Sequence, residues 1–286
     1  MLKLGHRKLE DELPLVMAIV NRTPDSFYDR GATYAEDAAM ERVHQVVAEG
    51  ADLVDIGGVK AGYGAAVSAE EEIGRVGSFV ARVRAAYPSL VISVDTWRSE
   101  VAKVVLSEGA DVLNDAWGGH DPALVDVAAE HDAAIICTHT GGLAPRTDPH
   151  RQEYDDVMAS VISATVSYAE RALAAGVRRE SIVIDPAHDF GKNTFHSLEI
   201  TRRLGEMTAL GWPVLVSLSN KDFVGETLGR AAGERLSGTL AATAVCALAG
   251  ARIYRVHQVR ETRDVVDMVW SIADRRPPLR AIRGLA

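Results

Sequence analysis

The chain has 286 residues, 47% hydrophobic and 25% charged, with a formal net charge of −9 at neutral pH. That balance suits a protein burying a large core, and the absence of a basic stripe with interleaved aromatics argues against a nucleic-acid partner. Cys137 and Cys246 stand far apart and form no disulfide framework, Met1–Glu12 is charged and lacks an apolar leader, and Leu240–Ala251 is shorter than the ~20 residues a bilayer crossing needs; a cytoplasmic, non-membrane protein is expected.

After a short lead-in, Leu15–Asn21 reads as a strand, followed by a long polar loop, Arg22–Ala35, and a helix over Ala35–Glu49. Leu53–Asp55 is a second strand, with a second long loop, Gly57–Ser68, and a helix over Ala69–Ala86. The unit then recurs as Val91–Asp95 with Glu100–Ser107, Val112–Asn114 with Pro122–Glu130, and Ala134–His139 with Tyr154–Ala175. Ile182–Asp185 with Phe195–Thr208, Val214–Ser219 with Gly233–Ala249, and Ile253–His257 with Thr262–Ile272 complete the series. The helical segments repeat apolar residues at steps of three and four, as at Val43, Val46 and Val47. Gly50, Gly109, Gly176, Gly211 and Gly250 follow five of them, where a left-handed cap is wanted. Eight strand–helix units predict one domain spanning 1–286, an α/β (β/α)8 TIM barrel over roughly residues 15–274. A doubly wound open sheet fits worse, because no Gly-x-Gly-x-x-Gly loop follows the first strand.

The chemistry is expected at the strand ends. Asn21 offers a neutral oxygen suited to a hard cation such as Mg2+, although the following Thr23-Pro24-Asp25-Ser26 is by itself ordinary turn chemistry. Asp55, Asp95 and Asp185 are carboxylates ending buried strands, costly there unless paired. Three around one mouth, with Asn114 and Asp115 beside them, favour a ligand presenting N–H donors. Lys192 after strand six, Lys221 after strand seven, and Arg255 with His257 on strand eight add cations, and strands seven and eight are where such barrels commonly bind phosphate. Arg255 and His257 alternate by two and point the same way, while a salt bridge to a nearby aspartate is the plainer reading of Arg255 alone. His139 and His188 lack the spacing of a zinc site.

These segments, in this order, resemble the dihydropteroate synthase family from about Leu15 to Met268. The family's first loop, Asn-x-Thr-Pro-Asp-Ser-Phe-Ser-Asp-Gly-Gly, is matched by Asn21 to Gly31, with Arg22, Tyr28 and Arg30 as departures. Asp55-Ile56-Gly57-Gly58, Ser93-Val94-Asp95-Thr96, Asn114-Asp115 and Asp185-Pro186 match its further elements, as do Phe190-Gly191-Lys192, Ser219 with Lys221, and Arg255-Val256-His257. The resemblance implies condensation of a 6-hydroxymethyl-7,8-dihydropterin pyrophosphate with 4-aminobenzoate in folate biosynthesis. It would place Asp95, Asn114, Asp185, Phe190 and Lys221 on the pterin and Ser219 near the aminobenzoate. Asn21, Arg255 and His257 would hold the pyrophosphate and its Mg2+, Asn21 as metal ligand, and together with Lys221 would form the catalytic set. It also implies a homodimer through the last helices.

The departures are local. Where the family reads Glu-Ser-Thr-Arg-Pro-Gly, this chain has Val59-Lys60-Ala61-Gly62-Tyr63-Gly64. A hydroxyl, a planar guanidinium fork and a rigid proline vanish together, and two glycines are expected to loosen the loop. Ala187-His188-Asp189 replaces Gly-Phe-Gly, putting an imidazole and an extra carboxylate beside the expected pterin floor, and Asn220 replaces an arginine. A paralogue that engages the pterin with weakened or altered use of the second substrate is therefore expected. Two other readings stay open: a pterin-binding pseudoenzyme, and a methyltetrahydrofolate-binding methyltransferase, which would need no pyrophosphate-bound Mg2+.

Overall fold

The structure, a computed structural model, describes residues 1–9, 13–23, 35–60, 62, 64–147 and 152–284. It begins with an antiparallel hairpin of β1 (Leu2–Leu4) and β2 (Arg7–Leu9). The barrel strands follow: β3 (Leu15–Asn21), β4 (Leu53–Gly57), β5 (Val91–Asp95), β6 (Val112–Asp115), β7 (Ala134–Thr138), β8 (Ile182–Asp185), β9 (Leu215–Val216) and β10 (Ile253–Val256). All eight are parallel, in the order β8-β7-β6-β5-β4-β3-β10-β9. A parallel bridge between Ile184 and Val214 brings β9 back to β8 and closes the ring. The expected (β/α)8 TIM barrel is the observed fold.

Around the ring lie α1 (Glu36–Ala48), α2 (Ala69–Ala86), α3 (Ser99–Ser107), α4 (Leu124–Glu130), α5 (Val157–Ala175), α6 (Thr194–Thr208), α7 (Asp222–Leu228), α8 (Leu236–Leu248) and α9 (Val259–Ile272). The five glycines expected at helix ends all have positive φ, as with Gly176 (105°) after α5. The start of α5 is set by Asp156, whose side chain accepts the Ala159 N–H, so the helix begins three residues later than its apolar pattern suggests. The short α7 has no counterpart in the sequence reading. Seven residues are too few to show a 3.6-residue period.

Period-two alternation explains why the strands read as unbroken apolar runs. On β3, Val16, Ala18 and Val20 face the helices, while Leu15 and Met17 face the barrel axis. The inward residues Leu53, Val91, Val112, Ala134, Ile136, Val183, Leu215 and Ile253 fill the lower barrel, and Leu2 and Leu4 of the hairpin close its bottom. Two residues further along the inward face of seven strands the chemistry turns polar: Asp55 above Leu53, Ser93 and Asp95 above Val91, Asn114 above Val112, Thr138 above Ile136, Asp185 above Val183, Ser217 above Leu215, and Arg255 above Ile253; on β3 the change comes one step later, at Asn21 above Ile19. One alternation therefore builds an apolar plug below and a polar ring above. Cys137 and Cys246 are buried and unbridged, and no helix among the described residues is long and apolar enough to cross a membrane.

Candidate active site

A cavity of about 320 Å³ opens at the C-terminal ends of the strands. Its lining includes Asn21, Asp95, Asn114, Asp185, Phe190, Ser219, Lys221, Arg255 and His257, so all nine residues that the resemblance assigns to the site meet in one place. Six of them are strand residues or lie one past a strand end on the inward parity, whereas Phe190 and Lys221 come from the loops after β8 and β9 and Ser219 from the turn after β9.

Beneath the cavity the wholly buried Asp55 organises the floor. It accepts from Ser93 Oγ at 2.6 Å, Asn114 Nδ2 at 3.1 Å and Arg255 Nε at 2.6 Å. Arg255 Nη2 reaches Asp95 Oδ2 at 3.1 Å. The salt-bridged reading of Arg255 thus describes these two donors, and one guanidinium compensates two carboxylates that could not otherwise be buried. Asp95 is nonetheless raised above the usual carboxylate range. Burial is the main cause; Arg255 opposes it, and the neighbouring Asp55, Glu72 and Asp115 add to it. Asp185 is pushed up to about 6 by burial, against the Ala187 N–H (2.7 Å), Lys221, Lys192 and Arg255. Both groups would gain from N–H donors on a ligand.

Lys221 Nζ donates to the His188 carbonyl at 2.9 Å and stands 4.5 Å from the Phe190 ring centroid. Ser219 Oγ donates to Gln258 Oε1 at 3.0 Å and lies 2.9 Å from His257 Nδ1, which joins the two expected second-substrate and phosphate residues. Lys192 serves differently from a rim cation. It is buried, lowered to about 7 chiefly by that burial, and donates to the carbonyls of His139, Ala187 and Phe190, locking the loop beneath the Phe190 ring. Asp115 lies on the outward parity of β6 and accepts from Trp117 N, Gly119 N and Tyr168 OH, which makes it a loop anchor.

His188 corrects an expectation. Its imidazole is turned away from the cavity, stacked on Phe223 and bonded to Thr201 Oγ1 at 3.1 Å, and burial drops it to about 3, so it is neutral. Only its carbonyl serves the site, while Asp189 does line the cavity. The second loop is also tied more firmly than its glycines suggest. Arg75 Nη1 donates to Gly58 O (2.8 Å), Arg146 Nη1 to Lys60 O (2.9 Å) and Arg98 Nη2 to Val67 O (2.6 Å). Ala61, Tyr63 and the first-loop segment from Pro24 to Tyr34 lie outside the described residues. Gly58 is required by close approach: a Cβ there would meet Val76 Cγ1 at 2.8 Å.

Above the polar ring, Val59 and Ala116 cluster with Trp97 and Trp117, and Val67, Leu143 and Phe190 lean on them. Trp117 meets Phe190 edge-on at 5.7 Å. The sequence carries little signal for this wall; the hint is that Trp97 and Trp117 each stand two residues past a strand end, β5 and β6.

The polar floor, Lys221 and His257 thus converge under an aromatic wall, and residues 17–257 match the sequence profile described as pterin binding enzyme. The chain belongs to the pterin-binding enzyme family. It is 56% identical over 284 residues to a Mycobacterium leprae protein named inactive dihydropteroate synthase 2, covering 98% of each chain. It is 36% identical over 257 residues to Escherichia coli dihydropteroate synthase, covering 90% of each. A crystal structure of Yersinia pestis dihydropteroate synthase with a sulfonamide drug superposes with a TM-score of 0.90 at 31% identity, covering 96% of this chain and 99% of that one. This family member is thus a divergent paralogue, similar both to proteins named dihydropteroate synthase and to mycobacterial proteins named inactive dihydropteroate synthase 2.

Proposed function

We propose that this pterin-binding paralogue takes up 6-hydroxymethyl-7,8-dihydropterin pyrophosphate and condenses it with 4-aminobenzoate far more slowly than an active dihydropteroate synthase. The observation that carries this reading is the contrast between the two halves of one cavity. Asp95, Asn114, Asp185 and Lys221 converge on its floor, while Val59, Lys60 and Gly62 line the side where the resemblance expects a hydroxyl, an arginine and a proline. The similarity to a mycobacterial protein named inactive supports the second half of the reading.

In this reading Asp185 and Asp95 accept from the amino and ring N–H groups of the pterin, Asn114 donates and accepts beside them, and Lys221 donates to a ring acceptor. Phe190 supplies a flat apolar surface under Lys221. Arg255 and His257 carry charge and hydrogen bonds to the pyrophosphate, and His257 is oriented by Ser219. The leaving group then needs charge neutralisation more than the aminobenzoate needs a base. The site fits one Mg2+ held as that ion is usually held, by a single protein oxygen, waters and substrate phosphates, and Asn21, whose Oδ1 overhangs Gly57 at the cavity wall, is the proposed ligand. When bound, the ion would offset charge on the pyrophosphate. The same reading takes residues 1–286 as one cytoplasmic domain, paired as a homodimer through the exposed Val245, Leu248, Met268 and Ile272 of α8 and α9.

Isothermal titration with the pterin pyrophosphate and Mg2+, followed by a pyrophosphate-release assay with and without 4-aminobenzoate, tests both halves. Saturable binding with release at least a hundredfold below that of an active synthase is expected. Ordinary turnover with ordinary aminobenzoate saturation would refute the impairment, and no binding would refute the pterin site.

A further inference from the structure

We propose that Asp189 is a positioning residue that staples the loop after β8 to the start of α7 and keeps the Lys221 ammonium charged and aimed into the cavity. The two segments form a short ladder. Lys221 Nζ donates to the carbonyl of His188 at 2.9 Å, and one residue further on each side, Asp189 Oδ2 accepts the Asp222 N–H at 2.6 Å and the Phe223 N–H at 3.3 Å. The other oxygen, Oδ1, accepts from Ser197 Oγ of α6 at 3.0 Å, which fixes the carboxylate from a third element. Asp189 and Lys221 line the same cavity.

The backbone gives an independent reason to assign the side chain a task. Ala187, Asp189 and Asn220 have φ of 51°, 68° and 57°, three non-glycine residues in the left-handed region around one lysine. Each such conformation costs energy that glycine would largely avoid. The carboxylate offsets that cost by satisfying two N–H groups that α7 leaves open at its first turn, where negative charge is also favourable.

The consequence is electrostatic. Lys221 is partly buried, and the desolvation of its amine lowers its affinity for a proton; Asp189 is the foremost group opposing that, ahead of Asp185, while Arg255 adds to the lowering and Asp222 opposes it. Lys192 also faces the pair from the loop after β8. Removing the Asp189 charge therefore leaves the partly buried amine less able to stay protonated. What that does to pterin recognition rests on the function proposed above, but the charge state of Lys221 does not.

The test is competitive acetylation with acetic anhydride across a pH series, with Lys221 followed by peptide mass spectrometry against the exposed Lys103. Asp189→Asn keeps a helix-capping oxygen and removes the charge; Asp189→Ser is the second capping variant. The Lys221 titration midpoint is expected to move to lower pH in both, with labelling at pH 8 rising several-fold. A loosened loop alone would raise the labelling plateau and leave the midpoint in place. An unmoved midpoint overturns the proposal, as does a wild-type Lys221 that is already neutral at pH 7, a measurement needing no variant. Loss of pterin binding in the wild-type protein would instead refute the proposed function and leave this titration standing.

Discussion

Asp185 stands 5% exposed on the inward face of β8, accepts the Ala187 N–H at 2.7 Å, and is raised by burial to about 6. A carboxyl raised in the fold holds its proton more tightly there than in the unfolded chain. Its contribution to stability is therefore full below the unfolded value, near 4, and is lost as pH rises through about 6. Asp185→Asn keeps an oxygen for the Ala187 N–H and removes that burden. It is expected to stabilise the protein at pH 8 by roughly 1–3 kcal/mol, with the difference vanishing below pH 4, and to abolish pterin-pyrophosphate binding. Thermal unfolding and titration at the two pH values check this; a variant no more stable than wild type at pH 8 would contradict it. Such residues were legible because strand alternation alone puts positions 21, 55, 95, 114, 185, 255 and 257 on one face. The partners were not. That Arg255 binds Asp55 and Asp95, and that the His188 ring turns towards Thr201, depends on neighbours brought across the barrel by folding.

At the scale of elements, the loops after β4 and β7 are joined where Arg146 reaches the Lys60 carbonyl. Glycine content predicts a loose second loop, and the arginines from α2, the loop after β5 and the loop after β7 oppose that tendency at the described positions. Arg146→Ala removes one tie from outside the cavity. Amide exchange around residues 58–60 is expected to quicken several-fold while pterin affinity stays within about twofold of wild type. Unchanged exchange would show that the tie does not restrain the loop. The apolar periodicity made eight of the helices readable, with boundary errors of a few residues; α7 was not, because its start is capped by Asp189 from another loop and its length is seven residues. Capping by a distant side chain leaves no local signature.

For the whole molecule, the barrel separates a stability end from a chemical end. The hairpin leucines seal the bottom in one apolar cluster with the lower inward residues of the strands, and none of that cluster lines the cavity. Leu4→Ala, at a side chain with no exposure, is expected to cost about 2–5 kcal/mol in unfolding experiments while pterin affinity of the folded fraction is unchanged. A weakened pterin site in that variant would mean that the two ends are coupled. The fold's legibility has the same origin as this division, since one alternation supplies both the apolar plug and the polar ring; the aromatic wall, assembled from residues of five loops, has no such period. The central claim is that the polar ring still receives a pterin although the second loop has changed. A crystal structure of the protein grown with 6-hydroxymethyl-7,8-dihydropterin pyrophosphate and Mg2+ tests it most directly: the account predicts the heterocycle within hydrogen-bond distance of Asp95, Asn114, Asp185 and Lys221, and an empty ring, or a pterin bound elsewhere, would contradict it.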